Sequence, residues 1–146
     1  MLIADYFYNR QIPFGFNPAT GTDDPTREDY DIYAGPQGKE TFFEVKMDFL
    51  SAITSNYFLE GKTLRNTKAD KFIIARPWIT VFDTERLREF YNAKNRVHRE
   101  DGSFAEQYQY RHVVGGDQAD NEGVIVPCKE ANQFGKPLWE ATKELL

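Results

Sequence analysis

The sequence predicts a single domain of the α/β class, and three observations carry that expectation. Its 146 residues are 40% hydrophobic and 28% charged, the length and apolar share of one folded domain. Short β-branched and aromatic runs bounded by turn formers recur from residue 30 onward, the pattern of strands. One later segment spaces Leu87, Phe90 and Tyr91 at i, i+3 and i+4, the pattern of an amphipathic helix.

Residues 1–29 are rich in turn formers, with NPATGTDDPT between Asn17 and Thr26, and are expected to form an irregular arm. A core over 30–128 follows. It opens with YDIYA (30–34) and TFFEVKM (41–47) flanking GPQGK, which predicts a hairpin with a turn of several residues. SNYFLE (55–60) is expected as a third strand and KFIIA (71–75) as a fourth. WITVF (78–82) is a fifth, or an extension past the Arg76-Pro77 break. Asp83 or Thr84 can N-cap a helix through ERLREFYNA. A hairpin or loop through YQYRHVVGGDQADNEG leads to a short strand, GVIVP (123–127). Residues 129–146 read as a helical tail with Leu138, Trp139 and Leu145 as its apolar set. No internal repeat or second domain is visible.

Composition narrows the function classes. Cys128 is the single cysteine, which excludes an intramolecular disulfide or a multi-cysteine zinc site and fits a cytoplasmic protein. No apolar run approaches the length needed to cross a bilayer, and MLIADYFYNRQIPF lacks the regions of a signal peptide. The net charge of -5 hides an asymmetry, because residues 61–99 hold ten Lys or Arg against four acids. Such a layout can turn a basic face to a polyanion while the acidic remainder keeps the chain in solution. A solvated charged surface is the competing account.

Chemistry concentrates on the first hairpin. Side chains alternate along a strand, so Phe42, Glu44, Lys46 and Asp48 share one face while Phe43 and Val45 share the other. With a turn centred near Pro36 and Gln37, Asp31 falls opposite Phe42 and diagonal to Glu44. A two-residue shift puts Asp31 directly opposite Glu44, whereas a one-residue slip sends it to the other face. Two carboxylates so placed suit a hard divalent cation such as magnesium. A lysine beside them can meet charge developing on phosphorus.

Asp31, a twelve-residue spacer and Glu44-Val45-Lys46 resemble the core motif of the PD-(D/E)XK, or restriction endonuclease-like, nucleases. NYFLE (56–60), TKAD (67–70) and GVIVP (123–127) follow in the order of a phage and Holliday-junction-resolvase-like branch, so the resemblance covers about residues 29–128. It implies a restriction endonuclease-like core with a mixed central sheet flanked by helices. It also implies a Mg2+ (or Mn2+) site at Asp31 and Glu44 with the Val45 carbonyl as a further ligand, and Lys46 as the catalytic base-assisting cation. Asn56 and Glu60 would lie beside the site, and Lys62, Arg65 and Lys68 would follow the backbone of branched or duplex DNA. A homodimer would suit symmetric junction cleavage. One departure stands: only Glu28, in a loop-like stretch, precedes Asp31, where many members carry a Glu on an N-terminal helix. The site is then minimal, completed by another residue such as Glu60, or impaired.

Plainer accounts compete with each assignment. Asp31, Glu44 and Lys46 can form cross-strand ion pairs on a solvated sheet surface, each contributing a few tenths of a kcal/mol. Thr67 can cap a helical turn with Asp70. His98 and His112 read as surface or phosphate-contact residues, Cys128 as a small buried residue, and Asp117, Asp120 and Glu122 as a solvated turn. A nuclease-like fold that binds DNA or a protein without cutting is the principal alternative function. A small structural or inhibitory phage protein is the third.

Overall fold

The computed structural model describes residues 3–75, 78–114 and 121–145. In chain order the elements are α1 (Ile3–Asn9), β1 (Phe14–Phe16), β2 (Ile32–Ala34), β3 (Thr41–Lys46), α2 (Ser51–Thr54) and β4 (Asn56–Glu60). There follow α3 (Gly61–Asn66), β5 (Lys71–Ile74), β6 (Thr80–Asp83), α4 (Thr84–Asn92), β7 (Lys94–His98) and β8 (Phe104–Tyr108). The chain ends through β9 (Arg111–Val114), β10 (Glu122–Pro127), α5 (Cys128–Ala131), β11 (Lys136–Pro137) and α6 (Leu138–Ala141). The class is mixed α/β, as the sequence predicts.

Alternation along β5 explains the layering. Ile73 faces one core, with Phe7, Ile12, Ile32, Phe43, Val81, Leu138 and Leu145, while Phe72 and Ile74 face another, with Tyr57, Leu59, Leu64, Phe82, Leu87 and Val124. A strand buried on both faces must be central, and β5 lies inside a six-stranded sheet ordered β1-β2-β3-β5-β6-β11. That sheet is mixed: β3 and β5 run parallel and every other neighbouring pair is antiparallel. The β3-to-β5 crossover carries α2, β4 and α3, and β4 joins β10 and β9 in a second, antiparallel sheet over the central sheet's inner face.

The first hairpin forms where expected, with β2 and β3 paired Ile32↔Phe43 and Ala34↔Thr41. Its turn requires glycine at Gly38, where φ is +83°, and at Gly35, where φ is +119°. The helix over Thr84–Asn92 starts after Asp83, and the fifth strand is a separate antiparallel neighbour of β5. The Arg76-Pro77 break, and Asp117 and Asp120 of the acidic turn, lie outside the described residues.

The irregular arm expected over residues 1–29 is a correction. It contains α1 and β1, and β1 extends the central sheet along β2. The reason is burial: Phe7 is fully buried and Ile12 is 3% exposed, so this segment closes the outer core despite its turn-rich composition. The hairpin β7–β8 was also not anticipated, because its residues are mostly exposed and lack apolar alternation. Among the described residues no helix is long and apolar enough to cross a membrane.

Candidate active site

The hairpin register decides the geometry. The β2–β3 ladder ends at Ile32↔Phe43, the register shifted by two of those considered, and just beyond it the Asp31 N–H donates to the Phe43 carbonyl at 2.9 Å, which leaves Asp31 close enough to Glu44 for their charges to interact. Burial excludes a one-residue slip, since Ile32 and Phe43 are both needed in the outer core and such a slip would expose one of them. The Asp31 Oδ2 accepts the Val45 N–H at 2.7 Å, which fixes the carboxylate, while the Val45 side chain packs on the outer core.

Glu44 and Lys46 project from β3 on the inner side, where β4 faces them across a cleft. Tyr57 and Leu59 of β4 are buried in the inner core, so Asn56, Phe58 and Glu60 form the opposite face of the strand. The Lys46 Nζ lies 5.3 Å from the centre of the Phe58 ring. The cleft has an acidic end, a cavity of about 200 Å³ lined by Arg27, Glu28, Glu44, Glu60, Lys62, Thr63 and Asn66. Along the same two strands a separate, mostly apolar hollow of about 490 Å³ is lined by Lys46, Asn56 and Phe58 with Met47, Leu50 and Ile125. Asp48 holds these walls together, its Oδ1 accepting the Ser51 N–H at 3.2 Å and its Oδ2 the Phe58 N–H at 3.0 Å.

The electrostatics at the acidic end are unbalanced. Burial pushes the Glu44 carboxyl up to about 7, and the negative charges of Asp31, Glu28 and Glu60 push the same way; the hydrogen bond from Thr67 opposes them. That bond is 3.0 Å from Thr67 Oγ1 to Glu44 Oε2. Burial also raises Asp31, with the Val45 N–H opposing. Lys46 forms no ion pair among the described residues, so the adjacent ammonium does not cancel this charge.

The structure therefore places Glu44 and Glu60 on one cavity and Lys46 and Asn56 on another along the same two strands, with Asp31 close enough to Glu44 for their charges to interact, and leaves part of the basic set outside both. Lys62 lines the acidic cavity, 3.9 Å from Glu28. Arg65 instead bonds to Glu122 at 2.6 Å and to the Tyr91 hydroxyl, and Lys68 lies 3.6 Å from Asp29. Two contributors were not assigned from sequence. Glu28 was placed in a loop-like stretch; it sits in a 3-10 turn over Pro25–Glu28, anchored by the Asn66 side-chain amide at 3.1 Å. Thr67 was read as a helix-start cap, but it follows the end of α3 and binds Glu44. Its place in TKAD, after the basic stretch, was the only sequence signal.

The donor set is chemically suited to a hard cation: each of Asp31 and Glu44 keeps one carboxylate oxygen that accepts no hydrogen bond from the described residues. Among the described residues no three His, Cys, Asp or Glu side chains converge closely enough to hold a metal ion as they stand. No protein-family model, curated protein or solved structure matches the chain.

Proposed function

We propose that this chain is a metal-dependent DNA endonuclease of the PD-(D/E)XK kind, with Asp31, Glu44 and Lys46 as its reacting core. The observation that supports this most is the half-buried, desolvated carboxyl of Glu44, beside Asp31 and among further acids, two residues along β3 from a lysine that forms no ion pair among the described residues. Asp31, Glu44 and the Val45 carbonyl would hold Mg2+ or Mn2+, and the carboxylate charge is the reason a cation would enter. When bound, the ion supplies activation of water and neutralises charge on the attacked phosphate.

The chain's own residues account for the rest. The Val45 N–H orients Asp31, and Thr67 orients Glu44. Lys46, two residues along the same face, carries a compact ammonium to the phosphate that enters the cleft. Glu60 and Asn56 act from the opposite wall, and Lys62 at the rim attracts the polyanion. Branched or junction DNA is the substrate class that the resemblance favours, with a homodimer for paired cuts and a cytoplasmic, phage-type setting.

The test is cleavage of labelled linear, flapped and four-way-junction DNA with Mg2+ or Mn2+. Wild type should cut, and Glu44→Ala and Lys46→Ala should each abolish cutting while remaining folded. Cutting that survives both substitutions would overturn the proposal. One observation favours a second reading, a nuclease-like fold that binds DNA without cutting: the acids do not converge as they stand. That reading predicts metal-independent DNA binding that weakens with salt and no cleavage of any substrate.

A further inference from the structure

Among the described residues the hairpin β7–β8 pairs with no other strand, and eight of its ten strand residues are exposed. A two-stranded ribbon gains little stability from its own pairing, so a long exposed one is a structural cost without a partner to cover it. Its register sets Lys94 opposite Tyr108, Arg96 opposite Glu106 and His98 opposite Phe104, which places all six side chains on one face. That face carries Lys94, Arg96 and His98 on one strand and Tyr108, Glu106 and Phe104 on the other, two cations and two exposed rings with one carboxylate among them. The Arg96 guanidinium lies 3.6 Å from the centre of the Phe104 ring, and the Lys94 ammonium 5.0 Å from that of Tyr108. Tyr108 in turn stacks on His112 of β9, with ring centres 3.6 Å apart, which ties the ribbon's base to the second sheet. The His98 ring also meets Phe104, with centres 4.1 Å apart; Phe104 is 45% exposed and Tyr108 49% exposed, so a base that stacks on either ring would displace one of these neighbours from it.

We infer that this ribbon is a single-strand nucleic-acid arm: Phe104 and Tyr108 stack on unpaired bases while Lys94 and Arg96 hold the phosphates between them. Exposed rings spaced along a basic strand are what sequence-independent single-strand binding needs, because every base offers a flat face and every linkage a negative charge. An acidic peptide would satisfy the cations but leave the rings unused. Duplex DNA would satisfy the cations only, its bases being already stacked. The inference rests on the nucleic-acid reading above and deepens it: the substrate presents an unpaired segment, as flaps and opened junctions do.

The experiment measures anisotropy of fluorescein-labelled oligo-dT and of the matching duplex against the full chain in EDTA, over a series of salt concentrations. Wild type should prefer the single strand. Phe104→Leu should weaken binding about ten-fold while Phe104→Tyr retains it. Lys94→Ala and Arg96→Ala should each lower the salt slope by roughly 0.7, a change a purely structural role would not produce. Binding by wild type that is unchanged in all of these variants, or that favours the duplex, overturns the arm and leaves the nuclease reading standing. Failure of wild type to bind any nucleic acid in EDTA overturns the arm, and failure also to bind or cut with Mg2+ or Mn2+ overturns both.

Discussion

Glu44→Gln should stabilise the protein at neutral and alkaline pH. The substitution keeps the side chain's shape and an oxygen for the Thr67 hydroxyl but removes the charge. Moving a carboxyl from 4.5 to about 7 costs the ionised form on the order of 3 kcal/mol. Because the folded state binds the proton more tightly than the unfolded state, stability from this group is fully present below pH 4.5 and is lost as pH rises to about 7. Wild type and Glu44→Gln should therefore be close in stability near pH 4.5 and diverge across that window. In a chain of this size the gap above pH 7 corresponds to roughly 5–10 °C in Tm. The assay is thermal unfolding in EDTA from pH 4.5 to 8, followed by circular dichroism. A gap that stays constant with pH, or a less stable Glu44→Gln at pH 8, would refute the claim that Glu44 is held as a strained, desolvated charge.

Three further outcomes follow from the same geometry. Magnesium should raise the Tm of wild type at pH 8 more than that of Glu44→Gln, and should lower the Glu44 titration midpoint read by carboxyl-carbon NMR; equal Tm shifts would disconnect the ion from this carboxylate. Thr67→Val removes the hydroxyl that binds Glu44 and accepts the Ala69 N–H, so it should raise the Glu44 midpoint and cost about 1–2 kcal/mol in urea unfolding. Asp48→Ala strands the Phe58 N–H at the cleft wall and should cost about 1–3 kcal/mol in urea unfolding, whereas Arg65→Ala, which breaks an exposed pair, should leave the unfolding midpoint nearly unchanged.

The core of the site was legible because period-2 patterning and one buried pair fix it. Ile32 and Phe43 must face the same way, which carries Asp31 and Glu44 to the other side together, whatever the turn does. The same alternation in β4 places Asn56 and Glu60 on one face, but nothing local says that this face looks at β3. That depends on the crossover and on the Asp48 bond to Phe58, a contact between strands with no ladder between them. Glu28 and Thr67 were missed for a related reason. Each lies at the end of a short irregular segment, and their positions follow from side-chain bonds to Asn66 and to Glu44 that have no sequence periodicity. The α1–β1 segment was hidden differently: a loop of turn formers from Asn17 outweighed Phe7 and Ile12, whose burial needs a partner surface gathered from Phe43, Ile73, Leu138 and Leu145.

The ordinary account of Asp31, Glu44 and Lys46, a solvated sheet surface laced with ion pairs, makes a definite demand on geometry. It requires Lys46 to neutralise Glu44 and both to be well exposed, so that each pair is nearly neutral in energy. Neither condition holds. Lys46 rests over Phe58 and has no carboxylate partner among the described residues, and Glu44 is desolvated with three other acids acting on it. Charges of one sign gathered where water is scarce lower stability, and the outer core would pack as well with a neutral side chain at Glu44, which points away from it. Thr67 relieves only part of that cost. An arrangement that packing does not require and that costs stability at neutral pH is explained by a ligand that reverses the sign of the balance. A divalent cation does so for the carboxylates, and a phosphate beside the cation does so for Lys46. On the proposed function, one bound species would meet both unbalanced charges: a metal-phosphate pair, which a phosphodiester substrate and its cation would present.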